Sequence, residues 1–318
     1  MSPVVKITAI SLLATSAAWS QLPPSFLKPG QTPAPVPGVP GVPAPSPAVL
    51  ADAAPLSSGA PNTLSPEETA QGWRLLFDGY RLVGLRGVQK SDPMSAGWLA
   101  ERGVLNLPKD IKDMDRMTGG DLITNDVFWD FDFRFEWRTT ASADSGIRYM
   151  LTESSGQTPI GLEYQIIDDI HNSTGLKGGP VRRSSALDNI LPPGPNAKLR
   201  TADPLEKQGD PWNEGRIVVL GNRVEHWMNG EKVLEFDLGP HLRRVAESNK
   251  VKVSAFFGMK GKTRICIVDQ GTEIAFRNLK IRPLLPQAAA VPGTPAGTPG
   301  VKVPNPFLLP SGTGGQRR

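Results

Sequence analysis

The chain has 318 residues, with 35 lysines and arginines against 31 acids, a formal charge of +4 and a single cysteine. So small and scattered a charge gives no basis for a nucleic-acid partner, and the pairs Arg182-Arg183 and Arg243-Arg244 read as solvated side chains. One thiol cannot form an intramolecular disulfide, so the core must hold the fold unaided; Cys266, alternating with Arg264 and Val268, reads as a buried inert thiol.

Residues 1–20 carry Lys6, an apolar run to Ala18 and the small-x-small site Ala18-Trp19-Ser20. This is the layout of a secretory signal peptide, and its apolar run is too short to span a bilayer. The expectation is an exported protein without a membrane span, in the periplasm, at the cell surface or outside the cell. Most of the 32 prolines fall near the two ends, with part of the 33 glycines among them. Residues 21–64 read as a Pro/Ala-rich disordered linker and 286–318 as a Pro/Gly-rich disordered tail, because proline removes amide donors and fixes φ. The rest, 65–285, is the size of one β domain.

Within it, Ser65-Pro66-Glu67-Glu68 predicts a capped helical turn, with Ser65 as cap and Glu68 closing a capping box. Phe131-Asp132-Phe133-Arg134-Phe135-Glu136-Trp137-Arg138 alternates without error, which predicts a strand with one dry and one wet face. Further strands are predicted over 145–151, 162–168, 216–220, 223–228, 232–236, 251–257, 263–268 and 273–281. Leu220-Gly221-Asn222 and Met228-Asn229-Gly230-Glu231 separate them, the second carrying the type I′ hairpin signal. Residues 242–248 predict a short helical turn. Many strands with almost no helix imply an all-β chain, a two-sheet antiparallel jelly-roll sandwich. The long loop over 171–211 would lie at the rim of such a sheet, where ligands bind.

The densest polar signal is Gly161-Leu162-Glu163-Tyr164-Gln165-Ile166-Ile167-Asp168-Asp169. Alternate strand residues share a face, so Glu163, Gln165 and Ile167 point one way and Tyr164, Ile166 and Asp168 the other. Buried polar groups need partners or a purpose, so this strand is expected to line a polar cleft.

Several motifs follow one another in a recognisable order. Gly72-Trp73-Arg74-Leu75-Leu76-Phe77-Asp78-Gly79, Asp121-Leu122-Ile123-Thr124, residues 130–137 and Asp144-Ser145-Gly146-Ile147 come first. Glu163-Tyr164-Gln165 with Asp168-Asp169, Trp212-Asn213, His226-Trp227-Met228-Asn229-Gly230 and Phe276-Arg277-Asn278-Leu279-Lys280-Ile281 complete the set. Over about 72–282 the chain resembles the 3-keto-disaccharide hydrolase family, also described as the 3-keto-glucoside 1,2-lyase and 3-keto-2-hydroxy-glucal hydratase domain. The resemblance implies a sandwich of the concanavalin A-like lectin/glucanase type, acting on a small-molecule oxidised sugar or glycan. Three positions depart from the family pattern: Gln270 stands where a histidine is usual, Asp144 where an asparagine is usual, and Asp188 where a tyrosine is common. The first removes a group that titrates near neutrality.

A ketone at carbon three of a glycoside acidifies the proton on carbon two. A base removes it, the group on carbon one leaves, and water adds to the resulting glucal. This requires a base, an acid for the leaving group, and a donor for the enolate oxygen. Glu163 is the first candidate base, Asp168 or Asp169 the acid or a metal ligand, and His226 a second proton-transfer group. Arg148 and Gln165 would steady the oxyanion or hydroxyls, with Asp144, Asp169, Asn213 and Trp227 as further substrate contacts. Structural roles stay open for each: Glu163 capping loop amides, Asp168-Asp169 making a turn, His226 satisfied in the interior, Arg148 paired with Asp144. Asp144, Glu163, Asp168, Asp169 and His226 together offer oxygen and nitrogen ligands suited to calcium or manganese, whereas no zinc spacing is present. Two other functions compete: a conventional glycoside hydrolase, whose retaining form needs two carboxyls about 5–5.5 Å apart, and a non-catalytic carbohydrate-binding or interaction module.

Overall fold

The computed structural model describes residues 59–88, 96–108, 120–153, 158–195, 197–200 and 212–284. The expected signal peptide, most of the expected linker and the expected tail lie outside the described residues. In chain order the elements are α1 (Pro66–Ala70), β1 (Arg74–Leu75), β2 (Leu85–Gly87), β3 (Leu99–Glu101), β4 (Val104–Leu107), β5 (Leu122–Thr124), β6 (Phe131–Thr139), β7 (Asp144–Thr152) and β8 (Ile160–Ile167). There follow α2 (Ser173–Gly178), β9 (Asn213–Leu220), β10 (Arg223–Met228), β11 (Glu231–Asp237), α3 (Pro240–Ser248), β12 (Cys266–Asp269) and β13 (Ile274–Pro283). They build two antiparallel sheets. The larger runs β11-β10-β9-β6-β13-β4-β3, with β1 also on β13; the smaller runs β2-β5-β12-β7-β8.

Strand alternation sets the core. Phe131, Phe133, Phe135 and Trp137 point inward from β6 and meet Ile147 and Tyr149 of β7 and Leu162, Tyr164 and Ile166 of β8. Each such side chain contributes about 1.5–3 kcal/mol by leaving water. Local signals hold where they were strongest. Ser65 Oγ accepts from Glu68 N at 3.1 Å while Glu68 Oε2 accepts from Ser65 N at 3.1 Å, the reciprocal capping box. Asn229 (φ 50°) and Gly230 (φ 80°) carry the two positive φ angles that a type I′ hairpin needs.

Three expectations are corrected. Residues 251–257 form no strand: Val251, Val253 and Phe257 do pack on the core, but from a loop in which Phe257 N donates to Ser254 O at 3.2 Å. Period-two apolar spacing was satisfied without a ladder partner. The second face of β6 is not wet, since Asp132, Arg134 and Glu136 are all buried. Asp132 accepts from Arg216 Nε at 2.8 Å and Arg282 Nη2 at 3.0 Å, and the Trp73 ring lies 4.8 Å from both the Arg134 and Arg282 guanidinium carbons. Alternation marks that face as polar but cannot show that the N-terminal segment covers it. Finally, packed residues reach into the expected linker. Asn62 N donates to Asn278 Oδ1 at 2.5 Å, Asn278 N donates to Asn62 Oδ1 at 2.8 Å, and Asn62 Nδ2 donates to Gly103 O. This residue follows a proline-rich stretch, so composition hid its role.

Candidate active site

The outer face of the smaller sheet carries the cluster that parity predicted. Register places Arg148 opposite Glu163 and Gly146 opposite Gln165. Glu163 Oε2 accepts from Arg148 Nε at 2.6 Å, and Arg148 Nη1 lies 3.6 Å from Asp121 Oδ2. Glu163 leans across β7 over Gly146; a Cβ there would stand 2.4 Å from Glu163 Oε1, so the glycine makes room for the carboxylate. Gln165 Nε2 donates to Asp144 Oδ1 at 2.8 Å, and Asp144 Oδ2 accepts from Arg182 Nη2 at 2.9 Å. Arg182 Nη1 reaches both oxygens of Asp188, at 3.0 and 3.2 Å.

Asp188 arrives through the outer edge of β8. Residues 184–188 run along it: Ser185 N donates to Gln165 O, Gln165 N to Ala186 O, and Asp188 N to Glu163 O, at 2.8, 3.1 and 2.9 Å. The strap thus sets Asp188 beside Glu163. Both line a cleft of about 340 Å³, together with Arg148.

Burial is the main force on these acids. It pushes Glu163 up to about 7, with the charges of Asp188 and Asp144 adding and Arg148 opposing. Asp188 is pushed up to about 6, again by burial first, with Asp144 adding and Arg182 opposing. Burial also raises Asp144 and Asp121. A carboxyl titrating near neutrality in a cleft can both accept and return a proton. Cys266, in register with Arg148, is buried and its thiol is pushed up by burial. That is the state of an inert thiol.

The other residues singled out in the sequence do not converge here. Asp168 points to the opposite side of β8. It is fully buried and accepts from Ser142 N, Ile170 N and His171 N at 2.9, 3.0 and 3.1 Å, with His171 Nδ1 at 3.0 Å. Asp169 accepts from Ser184 N at 2.9 Å and Arg200 N at 2.7 Å. Both acids pin loops, the turn role that short carboxylates at strand ends commonly take. Asp168 therefore cannot form a retaining pair with Glu163.

His226 sits between the sheets. Its Nδ1 donates to Ser185 O at 2.9 Å, which leaves Nε2 to accept from Tyr149 Oη at 2.6 Å. Burial drives its pKa down to about 4, so the ring is neutral, and it supports the strap from within rather than reaching the cleft. Asn213 and Trp227 belong to the larger sheet. Asn213 Oδ1 accepts from Asn229 Nδ2; Trp227 Nε1 donates to Glu225 Oε2 while Arg216 and Lys232 lie over its ring. Arg148 pairs with Glu163 and Asp121 instead of Asp144.

The expected metal ligands are dispersed by the same geometry. Asp168, Asp169 and His226 are turned toward loop amides and the interior, and Glu163 and Asp144 are each held by a guanidinium. Among the described residues, no three His, Cys, Asp or Glu side chains are grouped to hold a metal. The residues present do not fit that five-ligand set.

Sequence reasoning missed Arg182 and the site role of Asp188. Arg182 is not solvated: its side chain is only 14% exposed, between two carboxylates. No local pattern marks either residue, since the strap brings them back to β8 from about twenty residues downstream.

Residues 72–282 match the family model described as a 3-keto-alpha-glucoside-1,2-lyase-like domain. A Bacteroides thetaiotaomicron protein named 3-keto-disaccharide hydrolase is 28% identical over 242 residues, covering 68% of this chain and 79% of that protein. A crystal structure from Parabacteroides distasonis, of a protein provisionally assigned as a glycosyl hydrolase, is 26% identical with a TM-score of 0.58. The match covers 71% of this chain and 100% of the other.

Proposed function

The chain belongs to the 3-keto-alpha-glucoside-1,2-lyase-like family, and from that premise we propose that it is a carbohydrate-active enzyme that cleaves 3-keto-glycosides by elimination and hydration. Glu163 takes the proton from carbon two, and the electron pair moves toward the ketone as an enolate. Arg148, next to Glu163, faces the developing negative charge. The enolate then collapses: a double bond forms between carbons one and two, and the bond from carbon one to the leaving oxygen breaks. That oxygen takes a proton from solvent water and departs. Water adds across the double bond, with hydroxyl to carbon one and the proton stored on Glu163 returned to carbon two, while the second proton of that water goes back to solvent. The balance is net hydrolysis, and Glu163 ends as it began.

The observation that carries this reading is a carboxyl raised to about 7 at the charged end of an open cleft, 2.6 Å from a guanidinium. Such a group is a competent base at neutral pH. The sugar-type relatives supply the substrate class. In this reading the protein is exported, and the N-terminal sequence of protein secreted by a bacterial host should begin after Ser20; retention of residues 1–20 would count against export.

The direct test incubates the purified full chain with a 3-keto-glucoside and its unoxidised parent, following release of the leaving group. Release from the 3-keto substrate alone is expected, by way of a glucal intermediate detectable by NMR. A folded protein that releases nothing from any 3-keto-glycoside refutes the proposal, and equal release from the parent would point to conventional hydrolysis.

A further inference from the structure

The cleft has two unlike halves. Arg148, Glu163 and Asp188 supply charge at one end. The remaining wall comes from Pro159 and Ile160 at the start of β8, Ile190 just beyond the strap, and Val251 and Phe257 in the loop after α3. Among the described residues, only Thr158 and Lys252 bring polar side chains to that wall. Ile160 is 38% exposed, so a branched apolar side chain stands open at the rim.

A sugar ring carries hydroxyls around its whole perimeter. Laid on this wall, a second ring would turn several of them toward carbon, and each hydroxyl left without a partner weakens binding. An apolar group meets the opposite condition, because covering Ile160, Val251 and Pro159 removes apolar surface from water. Polar residues at one end to fix orientation and an apolar wall for the rest form the usual division of a small-molecule site.

Resting on the reading above, in which the reacting carbons face Glu163, we propose that this wall is the leaving-group subsite and that it selects 3-keto-glycosides with an apolar aglycone, such as a benzyl or alkyl group, over 3-keto-disaccharides. The loop that failed to form a strand, 251–257, then serves the cleft directly, because it carries two of the wall's apolar side chains there.

The test titrates the full chain calorimetrically with benzyl glucoside, methyl glucoside and trehalose, none of them oxidised, and then measures turnover of the 3-keto forms. Benzyl glucoside should bind about tenfold more tightly than either of the others. Ile160→Asn, a change at an exposed rim position, should remove about fivefold of that preference and leave methyl glucoside unaffected, whereas Ile160→Leu should retain it. Equal affinity for all three probes, no binding of benzyl glucoside, or an Ile160→Asn loss shared by every probe overturns the subsite. Selective benzyl binding with no turnover of any 3-keto-glycoside would leave the subsite standing and remove the reaction. Turnover that favours 3-keto-trehalose would do the reverse.

Discussion

Both sheets bury charge on their outer faces, but in different proportions. On the larger sheet Asp132 accepts from Arg216 and Arg282, and Glu136 from Arg277 and Asn278, with Lys280 held by Glu68 close by. Cations outnumber acids there, and Trp73 lies beneath two guanidinium groups. On the smaller sheet Asp121, Asp144, Glu163 and Asp188 gather, among the described residues, around Arg148 and Arg182. Four acids share two cations, and burial raises every one of them. A network in which every acid has its cation stiffens a fold; an acid-rich one beside a cleft leaves protons available for chemistry. Burial alone does not separate the two cases, whereas charge stoichiometry and access do.

The largest expected effect is on activity. Glu163→Gln should lower kcat by about 10²–10⁴-fold, the usual contribution of a positioned base. The same variant should be the more stable protein at alkaline pH. The folded pKa of Glu163 lies above its unfolded value, so its contribution to stability is complete below about 4.5 and is lost as pH rises through about 7. The melting temperature of Glu163→Gln relative to wild type should therefore climb from pH 5 to pH 8. A flat difference would mean that Glu163 is not held partly protonated.

Asp132→Ala tests the other face. It leaves Arg216 and Arg282 buried without this anion, and should cost about 3–5 kcal/mol in chemical denaturation. Activity per folded molecule should not change; a matching loss of turnover would erase the distinction between the faces.

His226 predicts a third effect, of opposite sign to that of Glu163. Its pKa falls to about 4 on folding, so its contribution to stability is complete above about 6.5 and is lost as pH falls toward 4. The loss is up to about 3 kcal/mol. Denaturation midpoints of wild type and His226→Gln, compared across that window, should approach each other on acidification. A constant gap would show that the histidine does not titrate with folding.

The smallest change is a displacement. Asp188→Asn removes a like charge beside Glu163, so the acid limb of the kcat/KM profile should move to lower pH. An unmoved limb would mean that the two carboxyls do not feel each other in solution.

Much of the sandwich was legible because its signals are short-range. Phe131, Phe133, Phe135 and Trp137 alternate, Asn229-Gly230 turns, and Ser65 with Glu68 caps; each rule needs only a few neighbouring residues. The same parity placed Glu163 and Gln165 on a different face from Asp168. It could not say which partners those faces would meet. Asp168 and His226 have the residue types of catalysis and the surroundings of structure, and that difference lies in contacts made across 26 and 77 residues of chain, to Ser142 and Tyr149.

The amino-acid sequence by itself determined most of the longer strands, their inward faces and the family, and it singled out Glu163. The tertiary structure decided the company that acid keeps. Arg182 and Asp188 reach it because a strap closes the open edge of β8, and Asn62 joins the domain because Asn278 receives it. Periodicity is written in the chain one or two residues at a time. The field around a buried carboxyl is the sum of groups that only folding brings within a few ångströms, and it falls off too steeply with distance for neighbours along the chain to foretell it.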